Sequence, residues 1–114
     1  MRKIERDMNR AIRAGRNFSN SNTTVQTTTF FNSQDVYCEE SRVFLHGNHI
    51  ATVTKNSIFL FDGGWQSNTT KSRLNALLDE FSTGMRVFQK NWEWFVGYKN
   101  VKEDFVNGME LAID

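Results

Sequence analysis

The chain has 114 residues, with 14 Lys or Arg against 13 Asp or Glu, fifteen aromatics, one cysteine and no proline. That length supports one small hydrophobic core and excludes a second. A single cysteine excludes an internal disulfide, and no run approaches the length that spans a bilayer.

The near-neutral total hides a segregation. Residues 1–16 hold six basic and two acidic groups, net +4, while the remainder holds eight basic and eleven acidic groups, net −3. At about 100° per residue, Arg2, Lys3, Arg6, Arg10, Arg13 and Arg16 cover roughly 140° of a helix. Met1, Ile4, Met8, Ala11, Ile12 and Gly15 occupy the other side. The pattern predicts an amphipathic helix from Arg2 to Ala14, stopped at Gly15. Glu5 and Asp7 suit the positive end of its dipole. A cationic outer face fits nucleic-acid phosphates or an acidic protein surface. An anionic membrane fits less well, because the apolar side lacks Trp, Phe and Leu. The plainest reading is a helix packed on a sheet through Ile4, Met8 and Ile12, with its arginines simply solvated.

Asn17 to Asn22 reads as loop, the polar connection reaching about residue 24, and Thr24 to Phe31 reads as a strand. Asn32 to Glu40 is a connection with a short strand near Val36 and Tyr37. Arg42–His46 and His49–Thr54 flank Gly47-Asn48, which predicts a tight hairpin. Ser57 to Phe61 adds a third antiparallel strand, apolar on both faces, and Asp62-Gly63-Gly64 ends it. Leu74, Leu77, Leu78 and Phe81 stand at i, i+3, i+4 and i+7, so Thr69 to Phe81 is a second helix. Ser67, Asn68 or Thr69 caps its start, and Gly84 closes its end. Arg86–Lys90 and Trp92–Tyr98 read as two strands turning near Asn91. Val101–Phe105 and Met109–Ile113 supply a final strand or two. The expected fold is α+β, a single domain over 1–114. It has an N-terminal helix, an antiparallel meander, a helix packed on the sheet and C-terminal hairpins.

The second helix carries its charges against the dipole, with Lys71 and Arg73 in the first turn and Asp79 and Glu80 in the last. Cations beside free N–H groups and the hydroxyls of Ser67, Thr69, Thr70 and Ser72 suit a phosphate or carboxylate. They equally suit a polar, well-capped helix start. Trp92, Trp94, Val96 and Tyr98 alternate onto one strand face. Such a row stacks unpaired bases if exposed and fills a core if buried.

No catalytic constellation stands out. His46 and His49 flank the hairpin turn, which sets them across from one another, but no third metal ligand accompanies them. Cys38 with either histidine lacks an orienting group and an oxyanion hole. Gly63-Gly64 and Lys71-Ser72 fail the phosphate-loop spacing, because Trp65 and Thr70 stand where glycine is required. Neither enzymatic activity, a metal nor a cofactor is expected.

Three segments carry a resemblance. They are Leu45-His46-Gly47-Asn48-His49-Ile50-Ala51, then Phe61-Asp62-Gly63-Gly64-Trp65-Gln66-Ser67, then the run Thr69 to Leu78. With Val87–Trp92 and Asn107-Gly108-Met109, the stretch from Val43 onward resembles a family of small uncharacterised proteins of tailed phages, marine ones in particular. The resemblance implies a viral protein acting in the host cytoplasm and assigns no residue a role.

The leading expectation is a non-enzymatic phage accessory protein that binds nucleic acid. Arg2, Lys3, Arg6, Arg10, Arg13 and Arg16 carry the contact, Lys71 and Arg73 add a second, and Trp92 or Trp94 stacks. The alternative is an inhibitor that docks an acidic host protein surface, in defence or transcription. A second copy docking through the N-terminal helix is a further partner.

Overall fold

A computed structural model describes residues 1–98 and 100–113. Among these residues two helices and nine strands form an α+β domain. The strands β1 (Phe18–Asn20), β2 (Thr23–Phe31), β3 (Tyr37–Leu45), β4 (Asn48–Val53), β5 (Ser57–Leu60) and β9 (Met109–Ala112) make one antiparallel sheet in that spatial order. A second sheet orders β6 (Arg86–Lys90), β7 (Glu93–Tyr98) and β8 (Val101–Asp104). Helices α1 (Lys3–Arg13) and α2 (Asn68–Phe81) pack on the larger sheet and on each other, and α2 also packs on β6.

The core follows from the apolar periodicities. Leu74, Leu77 and Leu78 of α2 are fully buried against Met8 and Ile12 of α1 and Val25, Val43, Ile58 and Leu60 of the sheet. A bulge opposite Val43 and Phe44 leaves Ile50 as the extra residue of β4. Ile50 and Ala51 are therefore both buried, although they are neighbours in sequence.

Helix α1 ends where Gly15 takes φ +64. The Arg16 amide donates to the Ala11 carbonyl at 2.9 Å and the Gly15 amide to Ile12 at 3.1 Å, closing a Schellman turn. Ser67 caps α2 by accepting from the Thr70 amide at 3.0 Å.

Several connections differ from the sequence expectation. The Asn17–Asn22 segment contains β1, which pairs with Thr23–Val25. The short strand expected near Val36 and Tyr37 is the start of the nine-residue β3. The hairpin turn falls one residue early, at His46-Gly47, because both take left-handed backbone, φ +52 and +78. That conformation matches the twist of a two-residue hairpin. Likewise Asn91-Trp92, at φ +53 and +68, forms the β6–β7 turn, so β7 starts at Glu93. Finally, β8 and β9 do not pair with each other: β8 edges the small sheet, and β9 crosses to β5.

Strands β2 and β3 outrun their neighbours. Strand β4 joins β3 only from Ser41 onward, and β1 joins β2 only at Thr23–Val25. Thr28–Phe31 and Tyr37–Glu40 therefore pair only with each other, as a two-stranded arm. Its tip is built around Asn32, whose side-chain oxygen accepts from the amides of Gln34 and Val36 at 2.8 and 3.0 Å.

Candidate nucleic-acid interface

The two helices run in the same direction with a constant offset. Glu5 meets Ser72, Asn9 meets the Ala76 carbonyl, and Arg13 meets the Glu80 carbonyl, every pair 67 residues apart. Contacts repeating every four residues on both helices place one stripe of each against the other. This accounts for two of the four reversed charges of α2, while Asp79 pairs with Arg86 instead. Arg73 of α2, in its second turn, faces the first-turn Glu5 of α1, and the last-turn Glu80 faces the last-turn Arg13.

Arg73 and Glu5 are each only 3 % exposed. The Arg73 guanidinium donates to Glu5 Oε2 at 2.9 Å, Thr23 Oγ1 at 3.0 Å and Asn22 Oδ1 at 3.2 Å. Glu5 also accepts from the Ser72 hydroxyl at 2.6 Å and from the Arg2 amide at 3.2 Å. Burial works against the Glu5 carboxylate, yet the bonds from Ser72, Arg73 and the Arg2 amide outweigh it and hold its pKa below the usual value. Arg73 is thus a structural knot joining α1, α2 and the β1–β2 turn. It is not the phosphate contact expected from its position. Lys71, half-buried, forms no ion pair among the described residues. The cap hydroxyls of Ser67 and Thr70 bond each other at 2.9 Å, and that of Ser72 serves Glu5, so the α2 start is a satisfied cap.

The outer face of α1 is different. Arg2, Lys3, Arg6, Arg10, Arg13 and Arg16 are all exposed. Asp7 takes Lys3 at 2.6 Å and Arg10 at 3.7 Å, and the Lys3 bond holds its carboxyl below the usual range. Arg13 pairs with Glu80 and lies over the Phe81 ring, 5.0 Å from its centre. Arg6 donates to the Met1 carbonyl. Arg2, Arg6 and Arg16 have no carboxylate partner among the described residues. The opposite face is consumed, with Met8, Ala11 and Ile12 buried. No helix among the described residues is long and apolar enough to cross a membrane.

The aromatic row divides. Trp94 is 5 % exposed, edge-on to Phe105 at 5.4 Å, and belongs to the core instead of a stacking platform. Trp92 stands 90 % exposed in the turn, off the strand. The histidines also separate. His46 lies in the hairpin turn, whereas His49 is opposite Phe44, not His46. His49 sits between Phe44 and Phe61, at 5.5 and 4.4 Å, and its Nε2 bonds the Thr52 hydroxyl at 2.8 Å. Among the described residues no group of three or more metal-ligating side chains assembles.

Burial holds the His49 pKa below 6.5. The unfolded chain therefore binds a proton more readily, and this contribution is intact above pH 6.5 and lost as pH falls below it. A proton NMR titration should place His49 below 6.5, and His49→Phe should flatten the stability profile just below pH 6.5. A midpoint at or above 6.5 would contradict its enclosure.

Sequence reasoning missed the Glu5–Arg73 pair and the buried Asn9. Glu5, Met8, Asn9 and Ile12 form an i, i+3, i+4, i+7 stripe, a periodicity that was present but interrupted by polar residues.

No curated protein and no solved structure matches the chain. A family model described as Kyanoviridae Gp96 protein matches residues 1–112. The chain thus belongs to the Kyanoviridae Gp96 protein family, a family of small proteins of marine-type tailed phages.

Proposed function

We propose that this phage protein binds nucleic acid through the solvent face of α1, as a non-enzymatic accessory protein. The observation that carries the reading is a division of labour among the cations. Arg73 is spent inside the fold, whereas Arg2, Lys3, Arg6 and Arg10 stand exposed along two turns of one rigid helix. The burial of Met8, Ala11 and Ile12 leaves α1 no apolar face to offer a lipid surface, which favours a partner met through charge. Contacts of this type grip phosphates without reading bases.

Oligonucleotide binding across a salt series tests this. Each neutralised phosphate adds about 0.9 to the slope of log K against log salt on duplex DNA, so four contacts give a slope near −3.6. Reversing Arg2, Arg6 and Arg10 to Glu should abolish that binding while the thermal melt stays unchanged. Arg13 is left intact because Glu80 holds it. If the wild type binds neither single- nor double-stranded oligonucleotides at low salt, the proposal fails. An acidic host protein then becomes the partner to seek by capture on the same face.

A further inference from the structure

We propose that the hollow beside Trp65 takes one unpaired nucleobase, so that the nucleic acid held by α1 is a single strand or a duplex with a single-stranded end. This rests on the binding proposed above and adds to it a contact with a base. A cavity of about 400 Å³ lies between the β3–β4 turn, the loop after β5 and the start of α2. That volume is within the usual range for small-ligand sites. Trp65 lines it and is 75 % exposed, so the fold itself gains little from the ring. The backbone that carries the ring is nevertheless fixed. The Asp62 carboxylate accepts from the Gly64 amide at 2.8 Å. The Trp65 amide donates to the Asp62 carbonyl at 3.3 Å, and the Trp65 carbonyl accepts from the Ser67 amide at 3.0 Å. The loop also lies tight against β4, since a Cβ on Gly63 would come to 3.2 Å from both Asn48 and Ile50. A large aromatic face, held in place and left in water, suits base stacking.

The rest of the lining favours a neutral, planar ligand. Leu45 and Ile50 add apolar wall. The side chains of His46, Asn48 and Thr69 make no hydrogen bond among the described residues, which leaves them for the polar edge of a base. No Lys or Arg lines the cavity, and the hydroxyls of Ser67 and Thr70 are spent on the α2 cap, so a phosphate has no seat inside. Asp62 is the one carboxylate of the lining, and its two oxygens already serve Gly64 and Gln66, at 2.8 and 3.4 Å, which makes it a poor counter-charge for a cation. The phosphates belong outside. Lys71, one position beyond Thr70, forms no ion pair among the described residues. The cavity is also at the end of the domain where α1 begins. The His46 amide donates to the Asn22 carbonyl at 2.8 Å, and Asn22 Oδ1 accepts from Arg73, the partner of Glu5. A strand gripped at Arg2, Lys3 and Lys71 thus runs towards the cavity.

Affinities of the full chain for three ligands test the proposal: a duplex with a single-stranded end, the same ligand with abasic sites in that end, and the blunt duplex. The wild type should bind the first at least about fivefold more tightly than the other two, the smallest effect expected of one stacked base. Trp65→Ala should erase that preference while the salt dependence and the thermal melt stay as in the wild type. Trp65→Phe keeps a ring and should keep most of the preference. Trp92→Gly should leave it intact, because Trp92 lies outside the cavity although it is more exposed. Equal affinity for the base-bearing and abasic ends overturns the proposal. So does a preference that survives Trp65→Ala or is lost in Trp92→Gly. Those results leave binding by α1 standing, because the abasic ligand keeps every phosphate. Absence of binding to all three ligands overturns the α1 reading as well, so the two failures are distinguishable.

Discussion

Replacing Arg73 with Met should lower the unfolding free energy by about 3–5 kcal/mol, because it leaves the Glu5 carboxylate buried without its cation. In a domain whose total stability is of order 5–15 kcal/mol, that is a large part. The melting temperature should fall by roughly 10–20 °C. The double variant Glu5→Leu, Arg73→Met should recover most of the loss, since apolar replacements of a buried pair are often neutral or better. Denaturant titrations followed by circular dichroism would measure both. A single variant within about 1 kcal/mol of wild type would show that the pair contributes little. The same pair sets an acid limit. With its pKa lowered in the fold, Glu5 contributes stability that is fully present above its unfolded value near 4.5 and is lost as pH falls through the folded value. In the double variant that part of the acid transition should disappear.

Trp92 in the β6–β7 turn and Trp94 in β7 should respond with opposite sign. Trp94→Ala removes a core ring and the edge contact to Phe105, and should cost about 3–5 kcal/mol. Trp92→Gly should instead stabilise by about 1 kcal/mol. Trp92 is 90 % exposed at φ +68, where an L side chain is strained by about 1–2 kcal/mol and glycine is not. The greater freedom of glycine in the unfolded chain returns part of that gain. Urea midpoints at constant slope would report both changes. A clear destabilisation by Trp92→Gly would mean that the ring makes contacts its exposure does not suggest.

Much of the fold was legible because its signals are local. The Leu74–Phe81 stripe, the Gly15 stop, and the apolar runs around Gly47 and after Lys55 each specify an element within a few residues. Turn positions slipped by one at His46-Gly47 and Asn91-Trp92. In both turns a residue other than glycine accepts left-handed backbone, which composition does not favour. The destination of β9 was not legible, since pairing with β5 is a contact between distant segments that no local pattern encodes. The site divides in the same way. The α1 cations were visible as a periodic face and stand exposed. Arg73 looked like their continuation because its partner, Glu5, lies 68 residues away. Read one helix at a time, the charges of α2 oppose its dipole; read against α1, Arg73 and Glu80 pair with Glu5 and Arg13.

That constant offset of 67 residues also constrains the order of events during folding. Closing a loop of that length costs roughly 4 kcal/mol in chain entropy, before any contact between the helices repays it. Strands β2 to β5 pair with neighbours close in the chain and can form early, whereas the seam between α1 and α2 must wait for α2. During synthesis the order is sharper still. The cationic helix leaves the ribosome almost seventy residues ahead of its partner stripe. Until then α1, a short helix that is marginal on its own, has only β1 and β2 to pack against. The buried anchor beneath the charged face, Glu5 against Arg73, therefore forms only once α2 has been made.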